Sequence, residues 1–201
     1  MLELATHIVN KRRSIGVLVV GCSAGGFNVL VNMLKALPTN LPFGVLVVVH
    51  RNAKYETRLE KNLAAKCRIA VKVAEDKEPI RPATAYFAPA GYHLLVEPDR
   101  CLSLDASEPV HFCIPSIDVT MQSTADVYGP TTAAVLLSGA NQDGAAGLLS
   151  IYRAGGWCIV QHPHDAKVDT MPAAAIALGA VHHTLTISEL ITFSQQLHHH
   201  I

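Results

Sequence analysis

The sequence has no excess of charge of either sign and no long apolar run. Its 201 residues carry 16 basic and 16 acidic side chains, which gives a formal net charge of +0. Because no basic stripe marks a nucleic-acid groove, we expect no nucleic-acid partner. The longest apolar stretch, around Gly44–Val49, is far shorter than the about 20 residues that a membrane-spanning helix needs. We therefore expect no membrane insertion.

The chain also lacks paired cysteine motifs and a targeting segment. Its five cysteines are scattered, and none forms a C-x-x-C pair. An odd number of scattered cysteines argues against a disulfide framework, and free thiols are typical of the reducing cytoplasm. The first 14 residues contain no apolar run long enough for a signal peptide. The sequence therefore predicts a cytoplasmic protein.

What the chain does contain is an alternation of apolar strands and helices. Ile15–Val20 and Gly44–Val49 are apolar throughout, as is typical of strands buried on both faces of a parallel sheet. Residues 25–37 between them have helical spacing of apolar side chains, and Pro38 ends this helix. Further strands are predicted at 69–73, 85–87, 132–137, 157–161 and 181–183, helices at 55–67, 116–128, 143–154, 172–178 and 187–197, and a hairpin at 93–96 and 101–104.

This order of elements predicts an α/β fold in a single domain. Strands that alternate with helices indicate a three-layer α/β/α sandwich with a mainly parallel, doubly wound sheet. The hairpin is expected to add antiparallel pairing at one edge of that sheet. A chain of this length can bury one good core but hardly two, so we expect one domain over residues 1–201, with its core at about 14–193.

A glycine-rich turn follows the first predicted strand. The sequence GCSAG at residues 21–25 fits the G-x-S-x-G nucleophile elbow, which lifts a serine, here Ser23, above the sheet. The backbone amides that begin the next helix, those of Ala24 and Gly25, are candidates for stabilising an oxyanion. A phosphate-binding or purely structural turn is the alternative. A dinucleotide fingerprint would need glycine in place of Ser23, and the G-K-[ST] ending of a Walker loop is absent.

Two further strand ends carry chemistry that a serine nucleophile requires. His50 follows the strand Gly44–Val49, and Asp143 lies in the turn SGANQDG after a later strand. Because the carboxyl ends of parallel strands share one edge of the sheet, we expect both residues near Ser23. His50 would act as general base and Asp143 would orient its imidazole. The alternatives are a structural histidine and a helix N-cap at Asp143.

These motifs together resemble the catalytic domain of the chemotaxis protein-glutamate methylesterases of the CheB type. The similarity extends from about residue 14 to 193 and rests on GCSAGG, VVVH, AYFAPAGYHL, PSIDV, SGANQDGAAG and the pair Met171-Pro172. It implies hydrolysis of glutamate methyl esters on chemoreceptors with release of methanol, and glutamine deamidation in some members. The family motifs place the nucleophile at Ser23, the base at His50 and the acid at Asp143. Ala140 joins the candidate oxyanion amides.

We expect no cofactor and no metal, and the partners that the resemblance implies are methylated chemoreceptor helices. A receiver domain, or a receiver protein in trans, is a further candidate, because chemotaxis members carry a receiver before this domain. We expect none within this chain, where only about 14 residues precede the first strand. The stretch His162–Asp165 contains two histidines and a carboxylate, but the proline between the histidines favours a loop over a metal site.

Two stretches depart from the family pattern. Residues 111–114 stand where asparagine and basic residues are common, which removes positive charge near the expected substrate entrance. Ser138-Gly139-Ala140 replaces a T-G-M sequence, so a methionine is missing beside the nucleophile. Two alternatives therefore remain beside receptor demethylation: a binding or regulatory module with weakened catalysis, and an esterase for another protein substrate.

Overall fold

The structure is a computed structural model that describes residues 14–51 and 59–197. Nine strands lie within these residues: β1 (Val17–Cys22), β2 (Gly44–Val49), β3 (Ala70–Val73), β4 (Thr84–Phe87), β5 (His93–Val96), β6 (Leu102–Asp105), β7 (Thr132–Leu136), β8 (Trp157–Gln161) and β9 (His183–Leu185). They alternate with six α-helices: α1 (Phe27–Ala36), α2 (Leu59–Ala64), α3 (Ile117–Tyr128), α4 (Ala145–Arg153), α5 (Thr170–Ala177) and α6 (Ile187–Gln196).

The main sheet has seven strands in the order β3-β4-β2-β1-β7-β8-β9, and every neighbouring pair is parallel. One apolar cluster, with Leu30 of α1 and Phe193 of α6, covers one face. A second cluster, with Ile117 of α3 and Leu148 of α4, covers the other. The predicted three-layer, doubly wound architecture is confirmed. All six residues of the central strand β1 are buried, which explains its uniformly apolar sequence.

The hairpin is confirmed as an antiparallel pair, but its expected place at an edge of the main sheet is wrong. Strands β5 and β6 form a two-stranded sheet of their own. The edge position beside β4 is occupied by β3. The hairpin is instead fixed to helix α3, where the Thr120 hydroxyl donates to the Leu94 carbonyl over 2.7 Å. The Val96 amide donates to the Ser123 hydroxyl over 3.2 Å.

Some boundaries differ from the prediction. Strand β1 is Val17–Cys22 rather than Ile15–Val20, so Ser23 follows it directly. Helix α4 begins at Ala145 rather than Asp143, because Gly144 has a φ of 94° and starts the helix as its N-cap. The last strand is His183–Leu185, two residues later than predicted. Part of the predicted helix 55–67 lies outside the described residues. No helix in the described ranges combines the length and the apolar character that crossing a membrane requires.

Candidate active site

The site is built where the three central strands β1, β2 and β7 end. The last residue of β1, Cys22, pairs with Val49, the last of β2. The His50 amide then donates to the Cys22 carbonyl over 3.2 Å, and the Ser23 amide donates to the Ser138 carbonyl over 2.9 Å. The loops that carry Ser23, His50 and the SGANQDG turn therefore meet at one edge, as the sequence predicts.

His50 and Asp143 are in direct contact. The His50 Nε2 atom lies 2.7 Å from Asp143 Oδ2. The Asp143 side chain is fully buried, whereas 11% of the His50 side chain is exposed. A buried carboxylate is stable only where its charge is compensated. An imidazole donating from Nε2 supplies part of that compensation, and the contact fixes which nitrogen of His50 carries the proton.

The Asp143 carboxylate also accepts three hydrogen bonds from the start of helix α3. The Ser116 hydroxyl and the Ile117 amide each donate over 2.7 Å, and the Asp118 amide donates over 3.1 Å. Burial acts to raise the pKa of the Asp143 carboxyl, but the hydrogen bonds from His50, Ser116 and the two amides outweigh it and lower the pKa below its ordinary value. The positive end of the helix dipole supports the same charge. Asp143 is therefore ionised at neutral pH.

The alternative that Asp143 caps its own helix is wrong. Gly144 is the N-cap of α4, and the Asp143 carboxylate faces α3 instead. The amides at the start of α4 are bound by Asp118 instead, whose Oδ1 accepts from the amides of Gly144 and Gly147 over 2.9 and 2.6 Å. Burial raises the pKa of the Asp118 carboxyl, against the opposing effect of the Gly147 amide, and the nearby Asp143 charge raises it further.

A buried histidine supports the serine that contacts Asp143. The Ser116 amide donates to His93 Nδ1 over 3.1 Å, while His93 Nε2 lies 3.2 Å from the Glu108 carbonyl. Since a carbonyl can only accept, the Nε2 atom of His93 carries the proton. The hairpin strand β5 thus fixes Ser116, and through it Asp143.

The second ring nitrogen of His50 faces a thiol. The His50 Nδ1 atom lies 3.4 Å from Cys113 Sγ. The Asn141 side-chain amide donates to the same sulfur over 3.1 Å. Burial raises the pKa of the Cys113 thiol, although the Asn141 hydrogen bond lowers it in part. Within the described residues, no hydrogen bond joins the Ser23 hydroxyl to His50, so the structure does not join the predicted three residues into one hydrogen-bonded chain.

The loop of Ser23 is held by a second serine, Ser138. The Ser138 hydroxyl lies 2.8 Å from the carbonyl oxygens of both Ala24 and Val168, and it accepts from the Val168 amide over 2.9 Å. The Ser138 amide donates to the Gln161 side chain over 2.9 Å. Ser138 thereby fixes the turn after β1 to the segments that follow β7 and β8.

Two candidate oxyanion amides, those of Ala24 and Gly25, belong to this loop, and the third, that of Ala140, lies in the turn after β7. Ala24, Gly25 and Ala140 are all exposed. Across the described part of the chain, their amide nitrogens donate no hydrogen bond to a protein acceptor. They are thus available to a substrate oxygen. Gly25 has a φ of 83°, a conformation in which a side chain is strained.

The sequence did not point to three residues of this site. Asp118 and His93 received no role, and Cys113 was noted only as part of a departure from the family pattern. The Ser-Ile-Asp sequence after Pro115 is a helix-start signal that could have drawn attention to Ser116 and Asp118. No local signal connects His93 or Cys113 to the site, because their partners are distant in sequence.

The stretch His162–Asp165, considered above as a metal site, makes hydrogen bonds within the fold. The amide of His164 donates to His162 Nδ1 over 3.2 Å, and the Asp165 carboxylate accepts from the Ile187 amide over 2.7 Å. These contacts hold the predicted loop.

Cys22, beside the candidate nucleophile, is fully buried, and burial raises the pKa of its thiol to about 12. Such a thiol is a poor nucleophile.

Comparison with known proteins places these features in one family. Residues 18–193 match the family described as CheB methylesterase. A Symbiobacterium thermophilum protein named protein-glutamate methylesterase/protein-glutamine glutaminase is 35% identical over 173 residues, which cover 86% of this chain and 48% of that protein. A Leptospira interrogans protein with the same name, given provisionally, is 38% identical over 86% of this chain and 90% of its own length.

A solved structure gives the same result. The crystal structure of the Thermotoga maritima CheB methylesterase catalytic domain matches with a TM-score of 0.83 and 30% sequence identity. The match covers 89% of this chain and 98% of that domain. The chain spans about half the length of the Symbiobacterium relative.

Proposed function

The chain belongs to the CheB methylesterase family, a family of hydrolases, and from this premise we propose that it demethylates glutamate methyl esters on chemoreceptors. The proposal assigns Ser23 as nucleophile, His50 as general base and Asp143 as the acid that orients His50. It also includes deamidation of glutamine side chains, since the relatives are named for both activities. Cys22, Cys67, Cys101, Cys113 and Cys158 form no disulfide within the described residues, which agrees with a cytoplasmic location.

The contact between His50 Nε2 and Asp143 Oδ2 is the observation that carries this proposal. It leaves Nδ1 as the nitrogen with a free lone pair, so Nδ1 is the atom that would take the proton of Ser23. The Nδ1 atom must exchange its contact with Cys113 for one with the Ser23 hydroxyl when substrate is bound. Catalytic hydrogen bonds often tighten only in the complex.

The reaction then follows the order of acyl transfer. Ser23 Oγ attacks the ester carbonyl carbon while His50 takes its proton, and the amides of Ala24, Gly25 and Ala140 stabilise the oxyanion. Collapse of the intermediate breaks the bond to the methoxy oxygen, which takes the proton from His50 and leaves as methanol. Water then attacks the acyl-enzyme, with His50 again as base, and releases the glutamate side chain and Ser23. Deamidation differs only in that ammonia leaves.

Substrate recognition is assigned to the turn before Pro115. Val110 and Cys113 exchange backbone hydrogen bonds of 3.1 and 2.8 Å, and His111 and Phe112 between them have φ values of 48° and 61°. The Phe112 ring is fully exposed, one residue from the thiol that contacts His50. Because this turn presents an aromatic ring in place of the basic residues usual in the family, we propose that it contacts an apolar surface of the substrate.

A second candidate is a binding or regulatory module with weakened catalysis, or an esterase for another protein. The contact of His50 Nδ1 with Cys113 rather than Ser23 favours a weakened catalyst. The altered residues 111–114 and the absence of a methionine at Ala140 favour a changed substrate.

Methanol release from a methylated chemoreceptor fragment tests the proposal. Wild type should release methanol and Ser23→Ala should not, while Ser107→Ala, an exposed serine of the loop after β6, serves as matched control. Release that survives in Ser23→Ala would exclude Ser23 as nucleophile. Binding of the fragment by wild type without release would favour the regulatory module, and hydrolysis of a different methylated protein alone would favour a changed substrate.

A further inference from the structure

A cluster of potential metal ligands lies within the candidate active site. His50, Cys113 and Asp143 each offer a ligand atom, and these atoms lie within 4.8 Å of one another. This is the one group of three or more such side chains that the described residues bring together. We propose that His50 Nδ1 and Cys113 Sγ bind a zinc ion, or a similar borderline-soft divalent cation, and that this metal inhibits the enzyme.

The distance between the two ligand atoms fits zinc. Zinc bonds are about 2.0–2.1 Å to imidazole nitrogen and about 2.3 Å to thiolate sulfur, so tetrahedral geometry separates the two ligands by about 3.6 Å. The observed separation of Nδ1 and Sγ is 3.4 Å. A small side-chain adjustment is enough to admit the ion between them.

Asp143 is not one of the ligands, because its oxygens already accept from His50, Ser116 and two backbone amides. Its contact with His50 Nε2 instead provides what metal-binding histidines usually have, a carboxylate that receives the other ring N–H. This contact fixes the tautomer of His50 with Nδ1 unprotonated, as a metal requires. The carboxylate–histidine pair that serves catalysis thus also prepares His50 to bind a metal.

Two protein ligands leave the other coordination positions to water. Such a site is weaker than a structural zinc site, which normally has four protein ligands. Binding converts the Cys113 thiol to a metal-bound thiolate, and the proton goes to solvent. Because the metal occupies the Nδ1 lone pair, His50 can no longer take a proton from Ser23. The inhibitory consequence rests on the proposed function, whereas metal binding itself does not.

Cobalt provides a test that requires no activity. The metal-free 201-residue chain is titrated with Co²⁺, and the near-ultraviolet band of a thiolate–cobalt bond is recorded. We expect the band in wild type and in Cys101→Ser, and its loss in Cys113→Ser. Cys101 is the matched control, since it is also a partly exposed free thiol. Histidine-only sites, such as one formed by His198-His199-His200, would give no such band.

Zinc affinity and inhibition complete the test. By equilibrium dialysis, Cys113→Ser should bind Zn²⁺ at least tenfold more weakly than wild type, with folding checked by circular dichroism. A thiolate band that persists in folded Cys113→Ser, or is absent from wild type, would overturn the metal site. Absence of ester hydrolysis by metal-free wild type would instead overturn the proposed function. Zinc that binds without slowing hydrolysis would overturn the inhibitory role alone.

Discussion

Asp143, which precedes helix α4, accepts hydrogen bonds from the first amides of α3, while Asp118 in the first turn of α3 accepts from the first amides of α4. Each carboxylate therefore binds the start of the helix on which the other carboxylate lies or which the other precedes. This arrangement ties the candidate catalytic acid to the packing of α3 on α4.

Asp118 should contribute to stability chiefly as a hydrogen-bond acceptor. We expect Asp118→Ala to lower the free energy of unfolding by about 1–3 kcal/mol, because it leaves the amides of Gly144 and Gly147 without a partner. Asp118→Asn keeps an acceptor oxygen and removes repulsion with Asp143, so its cost should be roughly half or less. Urea unfolding at pH 7 measures both. Equal losses for the two variants would show that the charge itself is required.

Asp143 should be essential for turnover. Asp143→Asn replaces the acceptor that orients His50 with a neutral amide, and changes of this kind in serine hydrolase triads cost about 10⁴ in kcat. We expect a loss of three to four orders of magnitude in methanol release. Asp126→Asn, an exposed position on α3, is the control and should keep wild-type turnover. Activity near wild type in Asp143→Asn would reduce Asp143 to an acceptor for the first amides of α3.

The contribution of Asp143 to stability should depend on pH in a defined direction. Its pKa is lower in the folded protein than in the unfolded chain, where it is about 3.9. The unfolded state therefore takes up the proton first as pH falls, and the stabilisation is lost as pH drops through the lowered folded value. The stability difference between wild type and Asp143→Asn should be constant from pH 7 to about 5 and shrink below about 4.

Urea unfolding over this pH range measures the difference, and the same series on Asp126→Asn corrects for general acid titration. A difference that stays constant to the lowest pH at which the protein folds would contradict the lowered pKa. A difference that shrinks already above pH 5 would contradict it as well.

Gly139 should be required for the position of the nucleophile. A β-carbon at this residue would overlap the terminal methyl of the buried Met171 and would lie 3.1 Å from Ser23 Cβ. We expect Gly139→Ala to lower kcat by about 10–100-fold, because a displacement of about 1 Å is costly in catalysis. Methanol release and urea unfolding should be measured together. Wild-type kcat in the folded variant would mean that the turn adapts freely.

Phe112 should affect the protein substrate and not the chemistry. Phe112→Ala removes the exposed ring but leaves the backbone contacts of Val110 and Cys113 in place. We expect KM for a methylated receptor fragment to rise about tenfold, which corresponds to about 1.4 kcal/mol. Hydrolysis of a small activated ester should be unchanged. The KM of Phe112→Leu, which keeps an apolar side chain, should lie between those of wild type and Phe112→Ala. Equal effects on both substrates would place Phe112 in a structural role.

The sequence predicted the strands well because strands buried on both faces are apolar at every position. Gly44–Val49 has the bounds expected from its apolar sequence. His93–Val96 and Trp157–Gln161 also have the predicted bounds, although each carries one polar residue at an end. The position of the hairpin could not be predicted, since it depends on which strand takes the edge beside β4. In the structure β3 pairs with β4, and the hairpin is bound to α3 instead.

The outline of the candidate site was predicted from the order of the strands. The loops of Ser23, His50 and Asp143 follow parallel strands, so topology brings them to one edge. The roles of these residues remain predictions. The partners of Asp143 could not be predicted, because Ser116 and Asp118 are contacts across 27 and 25 positions of the chain. Nor did any pattern indicate that His50 Nδ1 would face Cys113.

The support of the Ser23 loop has a consequence for the order in which the chain is made. Ribosomes make a chain from its amino terminus, so Ser23 emerges before Ser138, Gln161 and Val168, which fix its loop through hydrogen bonds. A nascent chain therefore presents its serine without the framework that positions it, and the site assembles only once translation has passed Val168.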